Sequence, residues 1–184
     1  MRLGHNLCPN NNNNTSTRTL TLANNTTQST KTTITKLLSN NLQNRLQEAG
    51  AVLEITSKLP QVNNTSFAHL LNQTLTTLHG IPKDADIQKR RIAQDILFNY
   101  KDFQIINFIM PNGNIYIAEP YSRQQILTIN NLAFRDYFQG AVKTHNTYLG
   151  NVIISASSGQ RQALIAVPVY SADGVLLQAV KMSY

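Results

Sequence analysis

Phe103-Gln104-Ile105-Ile106-Asn107-Phe108-Ile109-Met110-Pro111-Asn112-Gly113-Asn114-Ile115-Tyr116-Ile117-Ala118 is where the chain turns from a helical to a strand pattern. Before it, apolar residues recur at threes and fours, the spacing of a helix face. From Gln104 the pattern shortens to that of a strand. Gln104 to Met110 reads as one strand, Pro111 to Asn114 as a turn, and Ile115 to Ala118 as the returning strand of a hairpin. A polar connection with Pro120, Tyr121 and Arg123 follows, then a short helix from about Leu132 to Lys143. The remainder reads as strands: 148–156, a turn at 157–160, 162–170, a turn at 171–174, and 175–182.

Upstream of the hairpin the chain reads as helices. Ile34, Leu37, Leu38, Leu42, Leu46, Ala49, Val52, Leu53 and Ile55 form one apolar stripe, which predicts a helix over 28–60 ended by Pro60. A helix of that length measures about 45 Å, longer than a core of this size requires, so a stalk-like element is expected. A second helix is predicted over 66–79, stopping at Gly80-Ile81-Pro82. A third, over 84–99, opens with acids that favour its N-terminal dipole. Residues 1–27 are an Asn/Thr tract without apolar period, too poor in buriable surface to offset ordering entropy, and are expected to be disordered. No apolar run follows Arg2, so the start is not read as a signal peptide. Helices first, then strand-strand-helix-strand-strand-strand, give an α+β class with a five-stranded antiparallel sheet. The expected organisation is 1–27 tail, 28–60 stalk-like helix and 61–184 module.

Composition narrows the function. The 184 residues carry 16 basic and 9 acidic side chains, a formal charge of +7, with one Cys and no Trp. Charged residues are only 14%, against about 25% in ordinary domains, and 22 Asn take up much of the difference. One Cys excludes an internal disulfide framework and a Cys-based zinc cage. The positive excess is diffuse: five basic residues fall in the first 47 positions, which hold no acid. Its densest cluster, Lys89-Arg90-Arg91, reads as a solvated helix face balanced by Asp84, Asp86 and Asp95. No Gly-rich phosphate loop, G-x-S-x-G elbow or H-E-x-x-H motif is present. His5, His69, His79 and His145 stand apart from one another. No enzymatic activity, cofactor or metal is therefore expected.

Phe134-Arg135-Asp136-Tyr137-Phe138-Gln139-Gly140-Ala141 stands out chemically. In the bland reading Asp136 caps the helix, Phe134 and Phe138 pack on the sheet, and Arg135 is solvated. In the functional reading the fork of Arg135 offers paired hydrogen bonds to a small carboxylate, and Tyr137 adds a ring wall and a hydroxyl to a mostly apolar pocket.

The order of several segments resembles the membrane-distal module of extracytoplasmic Cache (double Cache, PAS-like) sensor domains. They are Ile109 to Ile115, Phe134 to Ala141, Tyr148-Leu149-Gly150-Asn151-Val152, Ser158-Gly159 and Ile165 to Val175, preceded by the long helix. The resemblance covers about 155 residues. It implies a five-stranded sheet that binds a small ligand under a helix-loop cover, with the signal passing down the long helix. Arg135 and Tyr137 fall where amino-acid-binding members carry an arginine and a tryptophan that hold the ligand carboxylate. Phe138, Asn130 and Ser183 depart from the tyrosine, tyrosine and aspartate of that motif. A carboxylate or another small metabolite at Arg135 is the ligand expected. Tyr116, Tyr121 and Arg123 from the cover, and Asn151, Ser155 and Tyr170 from the strands, are further candidate ligand-binding residues.

The resemblance thus implies the extracytoplasmic ligand-sensing domain of a chemoreceptor or histidine kinase at the cell membrane. Its implied companions are a membrane helix, a cytoplasmic output domain and a homodimer through the long helix. Two alternatives come from the residues alone. One is a basic adaptor touching nucleic acid through Lys89, Arg90 and Arg91. The other is a structural module that dimerises through the long helix and binds no ligand.

Overall fold

The hairpin at the centre of the sequence becomes the edge and second strand of a five-stranded antiparallel sheet. In the computed structural model, which describes residue 1, residues 13–155 (13–26 by backbone alone) and residues 159–183, β1 (Ile105–Ile109) pairs with β2 (Ile115–Glu119), and the sheet order is β2-β1-β7-β6-β3. The other strands are β3 (Tyr148–Leu149), β6 (Leu164–Tyr170) and β7 (Leu176–Ser183). Two short strands, β4 (Ile153–Ile154) and β5 (Arg161–Gln162), pair separately. The α+β class and the sheet are those expected.

The chain divides into two units, Met1–Arg45 and Leu46–Tyr184. Helix α1 spans Asn13–Ser57, so part of the expected disordered tract is helical, and residues 2–12 lie outside the described residues. In this Asn/Thr-rich helix, hydroxyls fold back onto backbone carbonyls one turn earlier: Thr32 on Gln28, Thr33 on Ser29 and Thr35 on Lys31. Hydroxyls bonded this way do not pull the backbone out of the helix, and extending a nucleated helix costs little. In the first unit Ile34, Leu37 and Leu38 are exposed. Among the described residues no helix is long and apolar enough to cross a membrane.

In the second unit, alternation along the central strands builds two cores. One side of the sheet buries Ile106, Phe108, Val167, Val180 and Met182 against Leu46, Ala49 and Leu53 of α1 and against Ala93 and Ile96 of α4 (Ile87–Asn99). The other buries Ile105, Ile109, Ala166 and Ala179 against Leu132, Tyr137, Phe138 and Ala141. These belong to α6 (Asp136–Thr144) and the chain before it. All five residues of β1 are buried, as a strand covered on both faces requires. The remaining helices are α2 (Pro60–Asn63), α3 (Leu71–Leu78) and α5 (Tyr121–Gln125).

The basic cluster differs from its expected solvated state. Lys89 and Arg90 are buried and only Arg91 is exposed. Residues 89, 90, 93 and 96 share the inward face of α4, and acids meet the two cations there. Asp86 lies 3.4 Å from Lys89, and Glu119 lies 2.5 Å from Arg90. Two of the three side chains needed for phosphate contact are thereby engaged inside the protein.

Candidate ligand-binding site

The turn of the β1–β2 hairpin sets the site. Gly113 takes φ +87°, and a Cβ there would sit 2.5 Å from Ala133, so only glycine suits both the backbone and the space. Through that gap the chain from Asn130 to Ala133 runs beside the turn. Ile115 N–H donates to Asn130 O at 2.9 Å, Leu132 N–H to Gly113 O at 2.7 Å, and the Asn131 amide to Asn112 O and Asn114 Oδ1. This strap delivers Arg135 to the residue before α6, where its backbone is extended. At the far end of the cover, Asp136 accepts the Asn151 N–H at 2.6 Å. Gly150 leaves room for Tyr137, since a Cβ at Gly150 would meet Tyr137 Cβ at 2.7 Å.

Between cover and sheet lies a cavity of about 50 Å³, room for a few water molecules. Its floor is Ile105 and Asn107 of β1 with Lys181 of β7; its roof is Leu132, Arg135 and Tyr137; Ile153, Ser155 and Gln162 close one side. The apolar walls and few polar groups match the usual composition of small-molecule pockets. Arg135 Nε and Asn107 Oδ1 are buried without a hydrogen-bond partner. The Arg135 guanidinium lies 4.7 Å from the Phe134 ring. Phe134 therefore stays 60% exposed, stacked on the cation in place of the sheet contact expected for it. Lys181 Nζ lies 6.0 Å from the Tyr137 ring. Burial, with Arg135 adding its repulsion, pulls the Lys181 ammonium down to about 7. Burial holds the Tyr137 phenol above its usual range, so it stays protonated and can donate.

Of the eight expected ligand-binding residues, Arg135, Tyr137 and Ser155 come together here and five do not. Tyr116 is buried on the opposite side of the sheet, where its hydroxyl donates to Asp86 at 2.8 Å. The pleat alone puts it there, one residue after the cavity-facing Ile115. Tyr121 lies against Arg90, 5.2 Å from guanidinium to ring, and Arg123 is half-buried on α5, outside the lining. Asn151 is exposed, held through its backbone by Asp136. Tyr170 donates to or accepts from His145 Nδ1 at 2.6 Å, in a separate open cleft of about 510 Å³ with Glu54 and Lys58 on its wall. Sequence reasoning missed Lys181 and Asn107. Their signal is a lone polar residue inside an apolar strand, Ala179-Val180-Lys181-Met182 and Ile105-Ile106-Asn107-Phe108, and the register sets the two directly opposite each other.

No family model and no curated protein matches the chain. Solved structures do match. The ligand-binding domain of the Campylobacter jejuni chemoreceptor Tlp3 in complex with L-norvaline aligns at 12% identity with a TM-score of 0.56, over 86% of this chain and 58% of that one. The sensory domain of the same receptor aligns at 16% identity with a TM-score of 0.54, over 92% and 62%. With isoleucine bound it aligns at 16% with a TM-score of 0.53, over 92% and 61%. The chain shares the fold of these chemoreceptor domains. This is the Cache-like, PAS-like architecture that the sequence motifs resemble, and the chain spans about 60% of the length of these structures.

Proposed function

We propose that this chain is the extracytoplasmic small-molecule-sensing part of a membrane signalling receptor, of chemoreceptor or histidine kinase type, and not an enzyme. Its ligand is a small carboxylate anchored by Arg135 beneath α6. The observation that carries this reading is a guanidinium whose Nε is buried without a partner at a cavity in a sensor fold. A buried donor left unmatched costs about 1–3 kcal/mol, and a carboxylate matches it. Tyr137 and Ser155 line the same cavity and complete the ligand contacts.

The cavity is too small for a metabolite unless the cover moves outward. Ligand binding therefore redistributes the cover between two positions, by no more than its differential affinity for them. The stalk-like segment 28–60 carries that change from module 61–184 toward a membrane helix and a cytoplasmic output domain. Two copies pair through the exposed apolar face of α1.

A thermal-shift screen of carboxylates, amino acids and nucleobases tests the sensing role. A ligand at 100 times its Kd stabilises the fold by about 2.7 kcal/mol, a melting shift of several degrees. Arg135→Ala should weaken a carboxylate hit by roughly 10- to 100-fold, the worth of a hydrogen bond to a charged group. Hits that bind the Arg135→Ala protein as tightly as the parent would remove Arg135 as the anchor.

A further inference from the structure

Two cations face this one cavity, Arg135 from the cover and Lys181 from the floor, and no Asp or Glu is among the residues that line it. Lys89 pairs with Asp86 and Arg90 with Glu119, and neither Arg135 nor Lys181 takes part in these pairs. Asn107, 3% exposed, lies across the strand register from Lys181, its Oδ1 without a partner. Turned over, the same amide would present its NH₂ group to an anion.

A monoanion bound between the cations would leave a net positive charge buried in an apolar chamber, which is costly. An ammonium there would meet two like charges and no acid. Two negative charges balance the site. We propose that the cavity selects a small dianion without an ammonium group, held between Arg135 and Lys181. Short dicarboxylates and inorganic sulfate share that chemistry. The proposal rests on the carboxylate-sensing reading above and adds Lys181 as the residue that sets the charge of the ligand.

Isothermal titration calorimetry on the full chain tests it with four probes: succinate, sulfate, butyrate and L-valine. Succinate or sulfate should bind at least about 10-fold tighter than butyrate, and L-valine weakest, because the second charged hydrogen bond is worth about that factor. Succinate ahead of sulfate points to a dicarboxylate, and the reverse to a compact anion. Lys181→Met and Lys181→Gln should each remove most of the dianion preference, read as the ratio of succinate to butyrate affinity in the same variant. Circular dichroism checks that each variant is folded, and the second variant serves if one is not. Butyrate or L-valine binding as tightly as both dianions would overturn the proposal, as would a preference that survives both substitutions. Butyrate binding that depends on Arg135 but shows no dianion preference would sink this inference and leave carboxylate sensing intact. Binding by none of the acids would sink both.

Discussion

Lys89 and Lys181 are both buried lysines, and their surroundings separate a structural cation from a functional one. Lys89 donates to Asn64 O at 2.5 Å and to Gln178 Oε1 at 3.2 Å, with Asp86 at 3.4 Å and the Tyr116 ring at 4.5 Å. Burial lowers it to about 8, with Asp86 opposing. Among the described residues that line its cavity, Lys181 has no acid beside it. The charged or titratable neighbours in its cavity are Arg135 and Tyr137, and Asn107, Ser155 and Gln162 are neutral. An unfolded lysine keeps its proton to about pH 10.4. Between pH 7 and 10 the unfolded chain thus binds more protons than the folded one, and stability rises with pH. Above pH 10 the buried phenols of Tyr116 and Tyr137, both raised, reverse the slope, because the folded chain then holds protons that the unfolded chain releases. Urea midpoints at pH 7 and pH 9 should show the rise. Lys181→Met should increase stability at pH 7 by roughly 1–3 kcal/mol, the penalty of an unmatched buried polar group, and flatten the slope. A lower midpoint for Lys181→Met at pH 7 would show that the ammonium is structurally paired. Lys89 is not legible from sequence alone, since its burial is set by what α4 packs against, whereas Lys181 is marked as a lone polar residue in an apolar strand.

At the scale of elements, the sheet was readable because each strand carries its own signal. Short, near-continuous apolar runs mark β1 and β2, Pro111 to Asn114 marks the turn, and Gly174 closes β6 onto β7. What was not readable is where long apolar runs break. The 148–156 run is interrupted after Leu149: Gly150 N–H still bonds Leu164 O, but Asn151 N–H turns to Asp136. β4 therefore leaves the sheet and pairs with β5 to wall the cavity. The interruption depends on a partner 15 residues away in α6, which no local pattern encodes. Helix α5 likewise falls in a segment whose sequence reads as a polar connection. Its Gln124 is buried and bridges Ala118 N, Leu78 O and Ile81 O, so a polar residue locks the base of the cover. The contact of α6 with the sheet edge is tight at Gly140, where a Cβ would meet the Tyr148 ring at 2.5 Å. Gly140→Ala should push α6 outward and cost about 1–3 kcal/mol of stability, and ligand affinity should fall with it. Chemical denaturation and calorimetry on the same protein check both. An unchanged affinity at reduced stability would mean that α6 does not hold the site.

At the scale of the whole molecule, the apolar stripe of α1 serves two ends. Leu46, Ala49 and Leu53 are buried in the module core, whereas Ile34, Leu37 and Leu38 are more than half exposed. The stripe was legible as one periodic pattern, but periodicity cannot say which turns find a partner within the same chain. In the proposed pairing a second copy covers the exposed turns, as apolar seams do in paired helices. Sedimentation equilibrium should find a dimer, and Leu38→Glu should shift it to monomer without lowering the melting temperature of the module. A monomer for the parent chain at high concentration would remove this pairing.

A small acid bound between the sheet and α6 would perturb the two faces that enclose it. An NMR titration of the ¹⁵N-labelled chain with succinate tests it most directly. Amide shifts should concentrate at Ile105–Ile109, Arg135–Ala141 and Ala179–Ser183, and should be lost in Arg135→Ala. Shifts confined to the open cleft around Glu54, His145 and Tyr170, or none at saturating succinate, would contradict it.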